Sequence, residues 1–390
     1  MRAADSRAHW AYRAGRAARW CWNRRGIGLR GALFALILLN LAPARQRILP
    51  EPPQTVQSAH PILCMHTRLV DEVEDIKIWR TLRMVREMGA PAIVEFFPWA
   101  YIQPREGVYD WHHPDRIIRL AQRQGLTVIA RLGVVPAWAR PDPLRQPTSL
   151  NYLPPERYAD YAAFVAAFAA RYRDVVRHII PWNEPNLYFE WGFRRVPPEE
   201  YAHFLKLVYE AARAANPDVQ ILGGALAPTL EPEDGANGMS DLIYLRRLYE
   251  AGGGEYFDAL AVHTYGFTAP PDDPPAPDRL NFRRYELLLA IMRAFGDGEK
   301  PVYITETSWN DHPRWVNAVR PAQRIAYTLQ VLRYAESTWQ NVRHVCFWFF
   351  RAPTLYRNYM DGYAFVTVAF RPRPIYEEVQ RWARGWEASP

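Results

Sequence analysis

Short apolar runs alternate with longer amphipathic segments along this chain, and they do so eight times without a visible internal repeat. The runs are Ile62–His66, Ala92–Phe97, Thr127–Leu132, His178–Pro181, Gln220–Gly223, Ala259–His263, Val302–Thr305 and His344–Phe349. Most are β-branched or aromatic, the pattern of parallel strands covered on both faces. Helical periodicity falls over 73–88, 115–124, 156–172, 198–214, 241–251, 280–295, 320–337 and 375–384. Proline and acids mark helix starts at Pro154-Pro155-Glu156 and Pro197-Pro198-Glu199-Glu200, where a missing N–H costs nothing and the dipole favours negative charge. Eight strands alternating with eight helices predict one closed (β/α)8 TIM barrel. A doubly wound sheet would need a Gly-rich phosphate turn after its first strand. Met65-His66-Thr67-Arg68 is not one.

The 390 residues suit one such barrel with long loops and a leader. Charge marks the leader off. Residues 1–44 hold eight Arg against the single acid Asp5, which accounts for the whole net charge of +7. The rest is neutral, so no net field draws it to nucleic acid. Within the leader, an Arg-rich stretch precedes the apolar run Gly31–Ala42, and Ala42-Pro43-Ala44 is a small-x-small cleavage site. Residues 1–44 are expected to be a signal peptide or an N-terminal membrane anchor, with residues 27–44 as the possible tether. Residues 45–60 read as a Pro-rich linker and 61–390 as the barrel, which is expected outside the cytoplasm. Of three cysteines, Cys21 lies in the leader, while Cys64 and Cys346 fall on strands that neighbour each other in a closed barrel. These two are expected as buried thiols, since strand-to-strand geometry rarely suits a disulfide. No Cys or His spacing suggests a metal, and no cofactor is expected.

The loops after the strands are long, and in this architecture they build the active face. Two carboxylates end buried strands there: Glu184 closes His178-Ile-Ile-Pro-Trp-Asn-Glu, and Glu306 closes Val302-Tyr-Ile-Thr-Glu. One such Glu alone reads as a helix first-turn acid or a solvated loop residue. Two, on strands four and seven of eight, face each other across the barrel mouth. Hydrolysis of a glycosidic bond needs two such groups, one to protonate the departing oxygen and one to attack or to activate water.

Trp182-Asn183-Glu184-Pro185-Asn186 resembles the fourth-strand signature of clan A glycoside hydrolases, and Ile304-Thr305-Glu306-Thr307-Ser308-Trp309 resembles that clan's nucleophile segment. Trp99–Trp111, His263-Thr264-Tyr265 and Trp348 fall where the clan has its second-strand loop, a polar sixth strand end and a sugar-platform Trp. The resemblance covers about residues 60–385 and is nearest to the family of β-xylosidases, α-L-iduronidases and related exopolysaccharide endoglycosidases. It implies a retaining glycosidase acting on an oligo- or polysaccharide, with Glu184 as acid and then base, and Glu306 as nucleophile. It also implies that Asn183 donates to the sugar 2-hydroxyl, a contact that strengthens in the transition state.

Other assignments stay open on the residues alone. Tyr265 either holds Glu306 or satisfies its own hydroxyl within the fold. His263 either meets substrate or is a hydrogen-bonded core histidine. Trp348 and Trp138 are the expected sugar platforms, because sugar C–H faces suit flat aromatic rings. One departure stands out. The clan commonly carries an Arg at the end of strand two, and Ile93-Val94-Glu95-Phe96 puts Glu95 there. A carboxylate beside Glu306 would raise the nucleophile's pKa, unless Arg131 or Arg68 supplies the cation. The alternatives are a catalytically silent glycan-binding barrel and a metal-dependent barrel hydrolase.

Overall fold

A computed structural model describes residues 52–142 and 148–386. The leader, its cleavage site and its apolar run lie outside the described residues. No helix among the described residues is long and apolar enough to cross a membrane.

Eight parallel strands close on themselves in chain order. They are β1 (Leu63–His66), β2 (Ala92–Pro98), β3 (Thr127–Gly133), β4 (His178–Ile180), β5 (Gln220–Leu226), β6 (Ala259–His263), β7 (Val302–Thr307) and β8 (Val342–Phe347). Eight main helices follow them: α1 (Asp75–Met88), α2 (His112–Arg123), α3 (Tyr158–Arg171), α4 (Pro198–Ala215), α5 (Asp241–Glu250), α6 (Tyr285–Ala294), α7 (Pro321–Thr338) and α8 (Pro374–Ala383). The (β/α)8 TIM barrel expected from the alternation is the fold observed. α4, α7 and α8 each start on proline, which is pre-set for the first helical turn. α1 ends on Gly89 in the left-handed region, whose N–H reaches the carbonyls of Val85 and Arg86.

Side chains from all eight strands fill the barrel: Cys64, Ala92, Val94, Ile129, Ile180, Leu222, Ala225, Ala259, Ala261, Tyr303 and Cys346 form one buried cluster. Small residues on β6 leave room for Tyr303, whose hydroxyl bonds His178 Nε2 at 3.0 Å. Outside the barrel, Trp99, Tyr161, Phe164, Trp182, Trp191 and Phe204 pack edge to face and stacked between β4, α3 and α4. Such aromatics are worth ~1.5–3 kcal/mol each in burial, and they brace the strand that leads to Glu184.

Cys64 and Cys346 correct an expectation. The β1–β8 register sets them directly opposite each other, their Cα atoms 4.1 Å apart, and they are joined in a disulfide. The adjacency of the strands was foreseeable; the register that pairs these two positions was not.

Candidate active site

The two glutamates reach the barrel mouth through local irregularities. β4 leaves the sheet after Ile180, and Glu184 takes a left-handed backbone with φ of 43°. Its N–H donates to Ala225 O at 3.0 Å. Ala225 is itself left-handed, at φ 50°, within a bulge of β5 between Gly224 and Leu226. Non-glycine residues in that region typically cost ~1–3 kcal/mol and persist where surroundings over-determine them. Asn186 supplies part of that constraint. Fully buried, it donates to Ala227 O (2.9 Å) and Met239 O (3.0 Å) and accepts from Ala227 N (2.9 Å), pinning the β4 loop to the β5 loop.

Glu306 is turned inward by a second irregularity. Simple alternation from the interior Tyr303 would send residue 305 inward and residue 306 outward. An extra residue in β7 shifts its register against both neighbours, pairing His263 with Glu306 and Thr307 with Phe347. Bulges re-aim side chains in this way and recur beside active sites.

The result is a tight cluster. One oxygen each of Glu184 and Glu306 and one nitrogen of His263 lie within 4.8 Å of one another. Glu306 is 6% exposed. Its Oε1 accepts from Arg131 Nη1 at 2.8 Å, and its Oε2 accepts from the Tyr265 hydroxyl at 2.8 Å. Burial, reinforced by the Glu306 charge, pushes the Tyr265 phenol well above its ordinary pKa, so the hydroxyl keeps its proton and donates. His263 Nδ1 bonds Glu184 Oε1 at 2.7 Å. Burial alone would lower that imidazole, but Glu306 and the bond to Glu184 outweigh it and leave its pKa raised. At 1% exposure His263 is a buried partner of Glu184. Asn183 Oδ1 accepts from Arg131 Nη1 at 2.6 Å, which ties the asparagine to the cation that bonds Glu306.

Trp348 covers the β8 side of the cluster. It stands edge-on to His66, 4.4 Å between ring centroids, with the Arg131 guanidinium 5.8 Å from its ring. Trp138 sits apart, its indole donating to Gln103 O at 2.9 Å and packing on Trp99. No hydrogen bond or ring contact among the described residues links it to the two glutamates.

Glu95 does not stand beside Glu306, and here the sequence expectation is corrected. Ala92 and Val94 of β2 point into the barrel, so Glu95 points out. Its carboxylate accepts from Thr67 Oγ1 (2.5 Å), Leu69 N (3.0 Å) and Val70 N (2.9 Å), capping the turn after β1. Burial raises its pKa to about 7. The inward residue at the end of β2 is Phe96, and the Arg131 guanidinium lies 4.9 Å from its ring. The cation beside Glu306 therefore comes from β3, paired with Phe96 in the sheet register. Arg68 is committed elsewhere, to Asp71 and to the Tyr356 hydroxyl.

Three further residues join the cluster without a sequence assignment. Arg131 was named only as one of two substitutes. His66 is fully buried with Nε2 3.5 Å from Glu306 Oε1. Burial, with Arg131 second, holds its imidazole well below the usual pKa, so it is neutral. The third is Glu190, in the loop after β4, which accepts from Asn151 Nδ2 at 2.7 Å. The alternation of β1 and β3 beyond Cys64 and Ile129 could have found His66 and Arg131; nothing local marks Glu190. The geometry also offers a metal three donors, from Glu184, His263 and Glu306. Each is already hydrogen-bonded, and Arg131 places a positive charge on Glu306, so the set suits a sugar better than a cation.

Comparisons with known proteins place the barrel. A family model described as beta-galactosidase matches residues 71–147. A family 39 glycoside hydrolase from Bacteroides cellulosilyticus WH2 superposes with a TM-score of 0.68 at 20% identity, over 85% of this chain and 65% of that one. The barrel is shared with clan A glycoside hydrolases. The resemblance read from the sequence motifs is thereby borne out. A monomeric beta-xylosidase from Caulobacter crescentus CB15 gives 0.59 at 20% identity, over 83% and 69% of the two chains. An exo-beta-1,4-mannosidase from an Opitutaceae bacterium gives 0.55 at 17%, over 87% and 62%. The chain thus spans slightly less than two thirds of the Bacteroides and Opitutaceae proteins. No curated protein matches it by sequence.

Proposed function

We propose that this chain is a retaining glycosidase acting on a β-linked oligo- or polysaccharide outside the cytoplasm. One observation carries the reading: one carboxylate oxygen of Glu184 and one of Glu306 lie within 4.8 Å of each other. Retaining enzymes hold their two carboxyls ~5–5.5 Å apart, whereas inverting ones need ~6.5–9.5 Å to admit a water. The kinship in fold with a β-xylosidase and a mannosidase supports a carbohydrate substrate.

In the first step Glu184 gives its proton to the glycosidic oxygen as that oxygen leaves the anomeric carbon, and a Glu306 oxygen bonds the same carbon from the opposite face. Arg131 and Tyr265 hold the attacking carboxylate's plane, and His263 holds Glu184. In the second step Glu184 takes a proton from water, whose oxygen displaces Glu306 and restores the starting configuration. Asn183 serves the sugar 2-hydroxyl, and Trp348 is the platform for the ring. An extracytoplasmic site is supported by the Arg-rich leader and by the Cys64–Cys346 disulfide, a bond that persists in oxidising compartments.

Proton NMR of the first-formed sugar tests the mechanism: the product is expected to keep the substrate's anomeric configuration. Inversion, or full turnover by Glu306→Ala, would exclude it. A silent glycan-binding barrel predicts saccharide binding without hydrolysis, and hydrolysis of an aryl glycoside that is lost in Glu184→Gln eliminates it.

A further inference from the structure

Tyr265, which bonds Glu306, is the first of a line of aromatic rings that leads away from the two glutamates. Its ring lies 6.1 Å from Tyr363, Tyr363 lies 5.8 Å from Trp315, and Trp315 stacks on Tyr359 at 5.0 Å with 14° between their planes. Tyr265, Trp348 and Trp315 all pack on one buried cluster of Phe349, Ala352, Tyr363 and Ala364. The core beneath Trp348 therefore continues beneath Trp315. Exposure rises along the line, from 6% at Tyr363 to 42% at Tyr359, and among the described residues no third ring covers Tyr359.

The loops that carry this outer pair are locked together. Fully buried Asn310, after β7, donates to Tyr359 O at 2.8 Å and accepts from His312 N at 2.7 Å. A Cβ at Gly362 would collide with Asn310 and His312, so only glycine lets the two loops approach. Arg324 of α7, also buried, donates to Tyr363 O and Ala364 O, and Trp315 N–H reaches His312 O at 3.1 Å. A shelf held in this way loses little freedom when a ligand lies on it. Its chemistry suits a sugar: a flat ring for the C–H face, preceded in the chain by exposed Arg357 and Asn358 for the hydroxyls.

We propose that Trp315 and Tyr359 form a second sugar subsite, which binds the residue next to the reacting one on the glycone side, so that the enzyme cuts within a chain. The proposal rests on the glycosidase reading of Glu184 and Glu306. The side follows from the place of the acid. Glu184 follows β4 and protonates the departing oxygen, so the leaving portion lies on the β4 side of the mouth. The shelf belongs to the loops after β7 and β8, across the closed barrel from β4. A second copy of the chain is the rival occupant, but a stable dimer buries about 800 Å² per partner, more than this pair of rings supplies.

The test uses the full chain and the nitrophenyl β-glycosides of xylose, glucose, mannose and galactose, each compared with the nitrophenyl glycoside of its β-linked disaccharide. Wild type is expected to cleave one disaccharide glycoside about tenfold better in kcat/KM than the matching monosaccharide glycoside, and to release the disaccharide intact. Tyr359→Ala and Trp315→Ala are each expected to cost about tenfold on the disaccharide glycoside, the size of one ring contact. On the monosaccharide glycoside, which does not reach the shelf, the loss should be under about twofold. Tyr359→Phe keeps the ring and should keep the preference. Equal losses on both substrates, wild-type kinetics in Tyr359→Ala, or release of single sugars from the free end overturn the proposal. So does a change of oligomeric state in Tyr359→Ala, seen by sedimentation, with both substrates slowed alike, which assigns the shelf to a second copy. Should Trp315→Ala melt below the assay temperature, the variants of exposed Tyr359 decide the matter. Wild type inert toward the whole panel, or activity surviving Glu306→Ala, overturns the glycosidase reading itself, and the subsite falls with it.

Discussion

Glu95 in β2 and Glu306 in β7 are both removed from water, at 0% and 6% exposure. Their surroundings differ in kind. Glu95 faces the helix layer and is satisfied by a hydroxyl and two backbone N–H groups of the turn after β1. Glu306 faces the cleft and is satisfied by a guanidinium and a phenol from β3 and from the loop after β6. Both are two-sided anion sites; only one leaves its carboxylate near a second carboxyl across an open mouth. Which face of the strand the side chain takes separates an acid that caps a turn from one that faces the cleft.

The largest effect should come from the inward acid. Glu306→Ala is expected to lower kcat on an aryl glycoside by on the order of 10⁴-fold or more, while Glu95→Gln should stay within about tenfold of wild type. Comparable losses in the two variants would break the contrast. Next comes the cation. Arg131→Ala is expected to cost about 10²–10³-fold in kcat/KM, since it removes the donor shared by Glu306 and Asn183. An unaffected Arg131→Ala would return the role to Arg68.

The outward acid should register in stability. Glu95→Gln replaces one acceptor oxygen by a donor facing a backbone N–H, an expected loss of ~1–3 kcal/mol seen as a lower Tm. Its pH dependence has a definite sign. Folding raises this carboxyl from 4.5 to about 7, so between those values the folded chain holds a proton that the unfolded chain releases. Its contribution to stability is greatest below pH 4.5 and falls as pH rises through about 7. The penalty of Glu95→Gln, measured by melts at pH 5 and pH 8, should therefore shrink at the higher pH, and a penalty that grows would contradict the buried, raised carboxyl. The smallest effect is expected at the platform: Trp348→Phe should raise KM a few-fold, about 1 kcal/mol of lost ring contact, with kcat little changed.

Much of the barrel was readable because its physics is local. Seven of the eight expected strands start within one residue of the observed ones, and β8 starts two earlier, at Val342. β5 runs on to Leu226, past the Gly223-Gly224 pair that reads as a break, because Gly224 supports a bulge there. The two glutamates were found by their position at strand ends and by motif, although strict alternation would have turned Glu306 outward. At β2 the alternation was overlooked: counted from the inward Ala92, it assigns Glu95 to the helix side and Phe96 to the mouth.

The order of strands, the helices between them and the placing of Glu184 and Glu306 on opposite strand ends all follow from hydrophobic periodicity and short motifs, which operate over a few residues. The tertiary structure alone decided that Arg131 bonds Glu306, that Glu190 returns to Trp182, and that Cys64 meets Cys346. Those pairings join residues far apart in sequence, and they depend on sheet register, bulges and loop returns. A shift of one residue in any of these sends a side chain to the other face.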